Sequence, residues 1–212
     1  MLKKSLMASL FFFVSSNGFS FSSPVPRLDE VSTKGTCNDV EVFYDQEKNQ
    51  LEYEFLDYEA FTDVNAGVNR VRARCTVEVP VEVPFGYQIA VAAAILEYSG
   101  YVAPGGQGYT SIRYRFSGQS SEGITKTFPQ GPLSYDDSRI IYAPKPDQLR
   151  FSDCSNRKPV LELVSAMTVR APTDGFEDTD VSFEQGFSTF KDKYFTNNAF
   201  DFVHKLKLRK CL

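Results

Sequence analysis

The chain has 212 residues and a formal net charge of −4, and 14% of it is aromatic, with 19 Phe, 11 Tyr and no Trp. That aromatic content excludes disorder as the main state. The acidic balance excludes general binding to nucleic acid or anionic membranes.

The first 22 residues read as a secretory signal peptide. Lys3 and Lys4 supply a charged start, and Leu6 to Val14 is an apolar run of suitable length. Small residues then offer cleavage near residues 18–22. The run is short for an uncleaved membrane anchor, and no later stretch is long and apolar enough to span a bilayer. Cleavage removes two lysines and no acid, which takes the formal charge from −4 to −6. Residues 23–34 then form a polar, proline-containing leader expected to be flexible. Residues 35–212 suit a single domain with a sizeable core.

Within that domain, Val40 to Tyr44 reads as a short strand and Gln50 to Phe61 as a longer one. In the latter Leu51, Tyr53 and Phe55 alternate with Glu52 and Glu54, until a slip at Leu56 predicts a bulge. From Val71 to Val83 the odd positions are Val, Ala, Cys, Val, Val, Val and Val, while the even ones are Arg72, Arg74, Thr76, Glu78, Pro80 and Glu82. This period of two describes a half-buried strand with Cys75 facing the core. Pro80 cannot donate a ladder hydrogen bond, so an edge or bulge is expected there.

Pro84-Phe85-Gly86 is turn chemistry, with Pro second and Gly fourth in a type I turn. Gln88 to Tyr98 is apolar on both faces and reads as a covered strand, with a buried helix as the alternative. Ser99 to Gly108 is rich in glycine and reads as a loop. Tyr109–Ser117, Ile124–Phe128, Arg139–Tyr142, Val160–Arg170 and Asp180–Phe187 follow as strands. A last strand alternates Phe200, Phe202, Leu206 and Leu208 with polar residues and ends at Cys211. Many short strands separated by Gly/Pro turns predict an all-β protein, an antiparallel β-sandwich or jelly roll.

Cys37, Cys75, Cys154 and Cys211 match no zinc or redox motif. In an exported chain they read as two disulfides. Three pairings are open on sequence; Cys37–Cys75 and Cys154–Cys211 are preferred, the first tying the N-terminal segment to the core face of the valine strand and the second pinning the C-terminus.

An ordered series of segments resembles an exported domain-of-unknown-function family, number 4360. It comprises Gly35-Thr36-Cys37, Arg74-Cys75-Thr76-Val77, Val83-Pro84-Phe85-Gly86-Tyr87, Glu97-Tyr98-Ser99-Gly100-Tyr101, Tyr114-Arg115-Phe116-Ser117-Gly118 and Gly131-Pro132. Cys154 and Cys211 extend it. The resemblance implies an exported single domain of β architecture and brings no catalytic residues.

Candidate sites are few. His204, the sole histidine, falls on the apolar face of the last strand, where a structural role outweighs a catalytic one. Asp174, Glu177, Asp178 and Asp180 are the oxygen ligands calcium takes, but they lack EF-hand spacing and read as a solvated loop. Glu78 and Glu82 share one strand face about 13 Å apart, too far for either glycosidase geometry. Arg70, Arg72 and Arg74 form a basic stripe on that face, read as charge-balanced.

Tyr98, Tyr101 and Tyr109 flank the glycine-rich loop and are the best candidates for stacking on a sugar or anchoring a partner. The reading is therefore an exported, non-enzymatic β-sandwich that binds a protein or polysaccharide, without metal or cofactor, in a secreted, periplasmic or extracellular setting. The alternatives are a secreted polysaccharide hydrolase using two carboxylates, or a structural surface component.

Overall fold

A computed structural model describes residues 25–37, 40–55, 58–128, 133–172, 179–182 and 202–212. In chain order the strands are β1 (Arg27–Leu28), β2 (Ser32–Gly35), β3 (Val40–Asp45), β4 (Gln50–Phe55), β5 (Glu59–Phe61), β6 (Arg70–Glu82) and β7 (Tyr87–Val102). They continue with β8 (Gln107–Phe116), β9 (Glu122–Phe128), β10 (Leu133–Tyr142), β11 (Val160–Arg170), β12 (Asp180–Ser182) and β13 (Phe202–Lys210). One sheet runs β1-β6-β11-β8-β9 with β2 also on β6; the other runs β3-β4-β13-β7-β12-β5 with β10 also on β7. Every pairing is antiparallel, and the two sheets form a sandwich.

The alternation in β6 does what a period of two requires. Ala73, Cys75, Val77, Val79 and Val81 are buried, and Arg70, Arg72 and Arg74 are exposed. Leu161, Leu163, Met167 and Val169 of β11 join them, and Tyr53, Phe55, Leu96 and Phe202 close the core from the other sheet.

Both expected disulfides are formed. Cys37–Cys75 has a Cα–Cα separation of 5.3 Å and Cys154–Cys211 one of 5.9 Å. Gly35 makes the first possible: its φ is +113°, and a Cβ there would lie 2.1 Å from the Arg74 carbonyl oxygen. Only glycine lets the N-terminal segment lie this close to β6.

Several expectations need correcting. The segment read as a flexible leader supplies β1 and β2, which pair with Val81–Glu82 and Cys75–Glu78 of β6. Between them Asp29–Val31 lies against only Val79 and Pro80, so the irregularity expected at Pro80 falls where its missing N–H costs no ladder bond. The turn after β6 is shifted by one residue. Tyr87 N donates to Pro84 O at 3.1 Å, and Gly86, at φ +76°, occupies the position that a type II turn reserves for glycine.

The strand read over Gln50–Phe61 is two strands with different partners: β4 lies between β3 and β13, and β5 pairs with β12. The expected loop Ser99–Gly108 shrinks to Ala103–Gly106. Ser99–Tyr101 are laddered to β12 and belong to β7, which keeps their backbone polar groups paired. Gln88–Tyr98, by contrast, is the strand expected and not the alternative helix.

Candidate functional site

The three candidate tyrosines do not converge. Tyr98 and Tyr101 lie on β7 in the seven-stranded sheet, and Tyr109 lies on β8 in the six-stranded sheet. The side chain of Tyr98 is outside the described residues. Tyr101 is half-buried, opposite Asp180 on β12 and Ser134 on β10. Tyr109 is half-buried too, but on an open sheet face, with Gly108 and Thr110 taking the inward positions beside it.

Register places Tyr109 in a continuous outer row. Arg72 lies opposite Thr168, Thr168 opposite Tyr109, and Tyr109 opposite Thr127. On one side of this row run Arg70, Arg170 and Gln107; on the other run Arg74, Ala166, Ser111 and Thr125. The next row holds Thr76, Val164 and Arg113. Neighbouring rows stand about 6.8 Å apart and neighbouring strands about 4.8 Å, so the rows form a continuous platform. Arg70, Arg72, Arg74, Arg113, Arg170, Thr125 and Thr127 are all exposed.

The other end of the same face is electrostatically closed. Glu78 accepts from Lys34 at 2.9 Å and from Ser32 at 3.2 Å, and the Lys34 hydrogen bond holds its carboxyl below the usual range. Arg115 meets Glu162 at 2.9 Å, Arg157 meets Glu82 at 3.6 Å and Lys158 meets Asp29 at 2.8 Å, while Arg150 meets Glu122 at 2.7 Å on the opposite side of the sheet, where Glu122 stands across from buried Tyr114. Glu78 and Glu82 thus have separate cationic partners, Lys34 on the neighbouring β2 and Arg157 in the segment before β11.

The stripe of Arg70, Arg72 and Arg74, by contrast, is not charge-balanced. Among the described residues none of the three makes an ion pair, nor do Arg113 and Arg170, and Arg70 stands opposite Arg170. Sequence reading found the stripe but missed Arg170, Thr168 and Arg113. The alternation of β11 was visible, but which of its residues lie beside the stripe depends on register.

His204 is fully buried. Its Nδ1 lies 3.0 Å from the Tyr53 hydroxyl, and its ring meets Phe202, Tyr114 and Tyr53 edge-on at 4.5, 4.8 and 5.3 Å. Burial lowers its pKa to about 3 and raises that of Tyr53. This neutral imidazole inside an aromatic cage is a core residue, as its place on the apolar face predicts. A crevice beside Tyr114, lined also by Phe116, Glu122 and Arg150, holds about 10 Å³, the room of a single water.

Of the calcium candidates, Asp174, Glu177 and Asp178 lie outside the described residues, and Asp180 opens β12. Among the described residues no three His, Cys, Asp or Glu groups gather as metal ligands. No helix there is long and apolar enough to cross a membrane.

No curated protein matches the sequence. Among solved structures, TmCBM61 in complex with β-1,4-galactotriose is 10% identical, covers 85% of this chain and 88% of its own, and has a TM-score of 0.28. An infectious bursal disease virus structure, Gx strain, is 11% identical, covers 87% of this chain and 36% of its own, and has a TM-score of 0.27. Likenesses this distant transfer no site or ligand. Family membership is firmer: the model of the domain of unknown function DUF4360 matches residues 26–211, and the chain belongs to that family.

Proposed function

We propose that this is an exported, non-enzymatic protein that binds a polysaccharide on the outer face of its six-stranded sheet. The observation that carries the reading is the row Arg72, Thr168, Tyr109 and Thr127, which spans four adjacent strands. A tyrosine ring half-sunk in a sheet loses little entropy on meeting a sugar ring, and flanking hydroxyl and guanidinium groups supply hydrogen bonds to it. Two disulfides support folding in an oxidising compartment. The carboxylates of Glu78, Glu82, Glu122 and Glu162 are each held by a cation, which favours binding over two-carboxylate hydrolysis.

A glycan array followed by calorimetry with the mature protein tests this reading. Tyr109→Ala should weaken the polysaccharide found by about tenfold or more. Tyr101→Ala, on the other sheet, should leave it unchanged. Equal losses from both variants, or from neither, would move the site elsewhere.

A further inference from the structure

Resting on that reading, the ligand class follows from the contrast between the two ends of the face. Beyond Thr76 the carboxylates of Glu78, Glu82 and Glu162 each have a cation. Before it stand Arg70, Arg72, Arg74 and Arg170, with Arg113 level with it, and among the described residues none of their rows contains a carboxylate. Arg70 directly opposite Arg170 is a like-charge pair, which costs stability in a sheet. Such a pair is relieved when an anion is shared between the two guanidinium groups, whose planar forks match carboxylate and sulfate oxygens in pairs.

We propose that this face takes an anionic polysaccharide, a sugar polymer bearing carboxylate or sulfate groups, with Arg70, Arg72, Arg74 and Arg170 on its anions and Tyr109 beneath a sugar ring. The arginines of β6 recur about every 6.8 Å, so they meet a linear chain of regularly spaced charges along the strand. Glu78 and Glu162, in a row further along the face, are already paired with Lys34 and Arg115, so a polyanion finds unpaired cations only at the arginine end. Hydroxyl-bearing neighbours Thr168, Thr125 and Thr127 suit a sugar backbone. A lipid surface fits less well, because the exposed side chains of Phe43, Phe61, Phe85 and Ile141 lie outside these rows. A net charge of −4 leaves no general attraction for nucleic acid, so the attraction is local to the patch.

Calorimetry against polygalacturonate, dextran sulfate, neutral dextran and a short DNA duplex, at about 0.15 M salt, tests the proposal. At least one acidic polysaccharide should bind about tenfold or more tighter than neutral dextran and DNA. Loss of polygalacturonate binding on acidification, with dextran sulfate unaffected, would identify carboxylate as the recognised group; the reverse ranking at neutral pH would identify sulfate. The pair Arg72→Glu and Arg170→Glu should weaken acidic polymers at least about tenfold. Lys205→Glu with Lys207→Glu, on exposed positions of β13, changes the net charge equally and should leave binding intact. Arg72→Gln with Arg170→Gln should show the same direction of effect with native circular dichroism, which separates loss of charge from misfolding.

Equal binding of DNA, or equal loss from the β13 pair, would overturn the proposal. Binding of neutral polysaccharide alone, still sensitive to Tyr109→Ala, would overturn it and leave the proposed function standing. Binding of no polysaccharide would sink both.

Discussion

The inner and outer faces of the six-stranded sheet are made by the same strands, and they are organised by different physics. Inward, β6 and β11 present Cys75, Val77, Val79, Leu161 and Leu163, each fully buried, and what matters is volume and apolarity. Outward, the same strands present Arg70 to Arg74 at one end and Glu78 to Glu82 at the other, and what matters is which residue lies across the ladder. The inner face is therefore nearly uniform along its length. The outer face is divided into a paired end and an unpaired end by register alone.

Three perturbations separate the faces, from the largest effect to the smallest. Replacing Cys37 and Cys75 together by Ser removes a cross-link spanning 38 residues, and the chain-entropy argument gives a loss of about 4 kcal/mol. Urea unfolding under non-reducing conditions measures it. A loss below about 1 kcal/mol would mean that the inner face holds the N-terminal segment without the bond.

The second perturbation is acid. His204 is neutral in the fold with a pKa of about 3 and titrates near 6.5 once exposed, so between these values the unfolded chain binds more protons. Stability from this residue is complete above pH 6.5 and falls as the pH drops toward 3, by up to about 1.4 kcal/mol per unit. The groups touching the ring are Tyr53, Tyr114 and Phe202, none of which changes charge in that window. From pH 7 to 5 the wild type should lose about 2 kcal/mol more than His204→Phe, a difference in which the carboxylates common to both cancel. Parallel pH profiles would show that the imidazole is not the group responsible.

The smallest effect belongs to the outer face. Glu78→Gln breaks an ion pair in which Lys34 is 66% exposed, and the cost should be at most about 0.5 kcal/mol. Arg72→Gln removes a charge with no cationic or acidic balance among the described residues and should be neutral or slightly stabilising. Thermal melts of the two variants should move in opposite directions or not at all. A clear loss from Arg72→Gln would show that the unpaired end contributes to the fold and would weaken its assignment as a ligand surface.

The contrast between faces also decides what could be read from sequence. Alternation betrayed β6, β11 and β13 in full, because burial on one face stamps a period of two on the residues themselves. Placing Cys75 on the core face favoured Cys37–Cys75 among three pairings open on sequence, and that bond is formed. β1 and β2 carried no such stamp: Arg27–Leu28 and Ser32–Gly35 are strands only because the edge of β6 offers them hydrogen bonds. Glycines at 100, 105, 106 and 108 made Ser99–Gly108 look like a loop, while pairing with β12 and β10 at one end and β11 at the other made much of it strand. The arginine stripe was visible, but its lack of balance was not. That property depends on Arg170 arriving opposite Arg70, a hundred residues away in sequence.

The position of β13 has a consequence for the order in which this molecule assembles. It is the last strand in the chain, yet it sits inside its sheet, between β4 and β7. Until it arrives, β4 and β7 are open edges, and the aromatic cage lacks both its Phe202 wall and His204 itself. Closure is thus non-local and slow by nature, and it cannot proceed strand by strand from the amino end. Cys211 follows β13 by one residue and bonds to Cys154, so the step that completes the sheet is also the step that brings the second pair of thiols together. β13 works as a keystone between strands far earlier in the chain, and the Cys154–Cys211 bond locks it there.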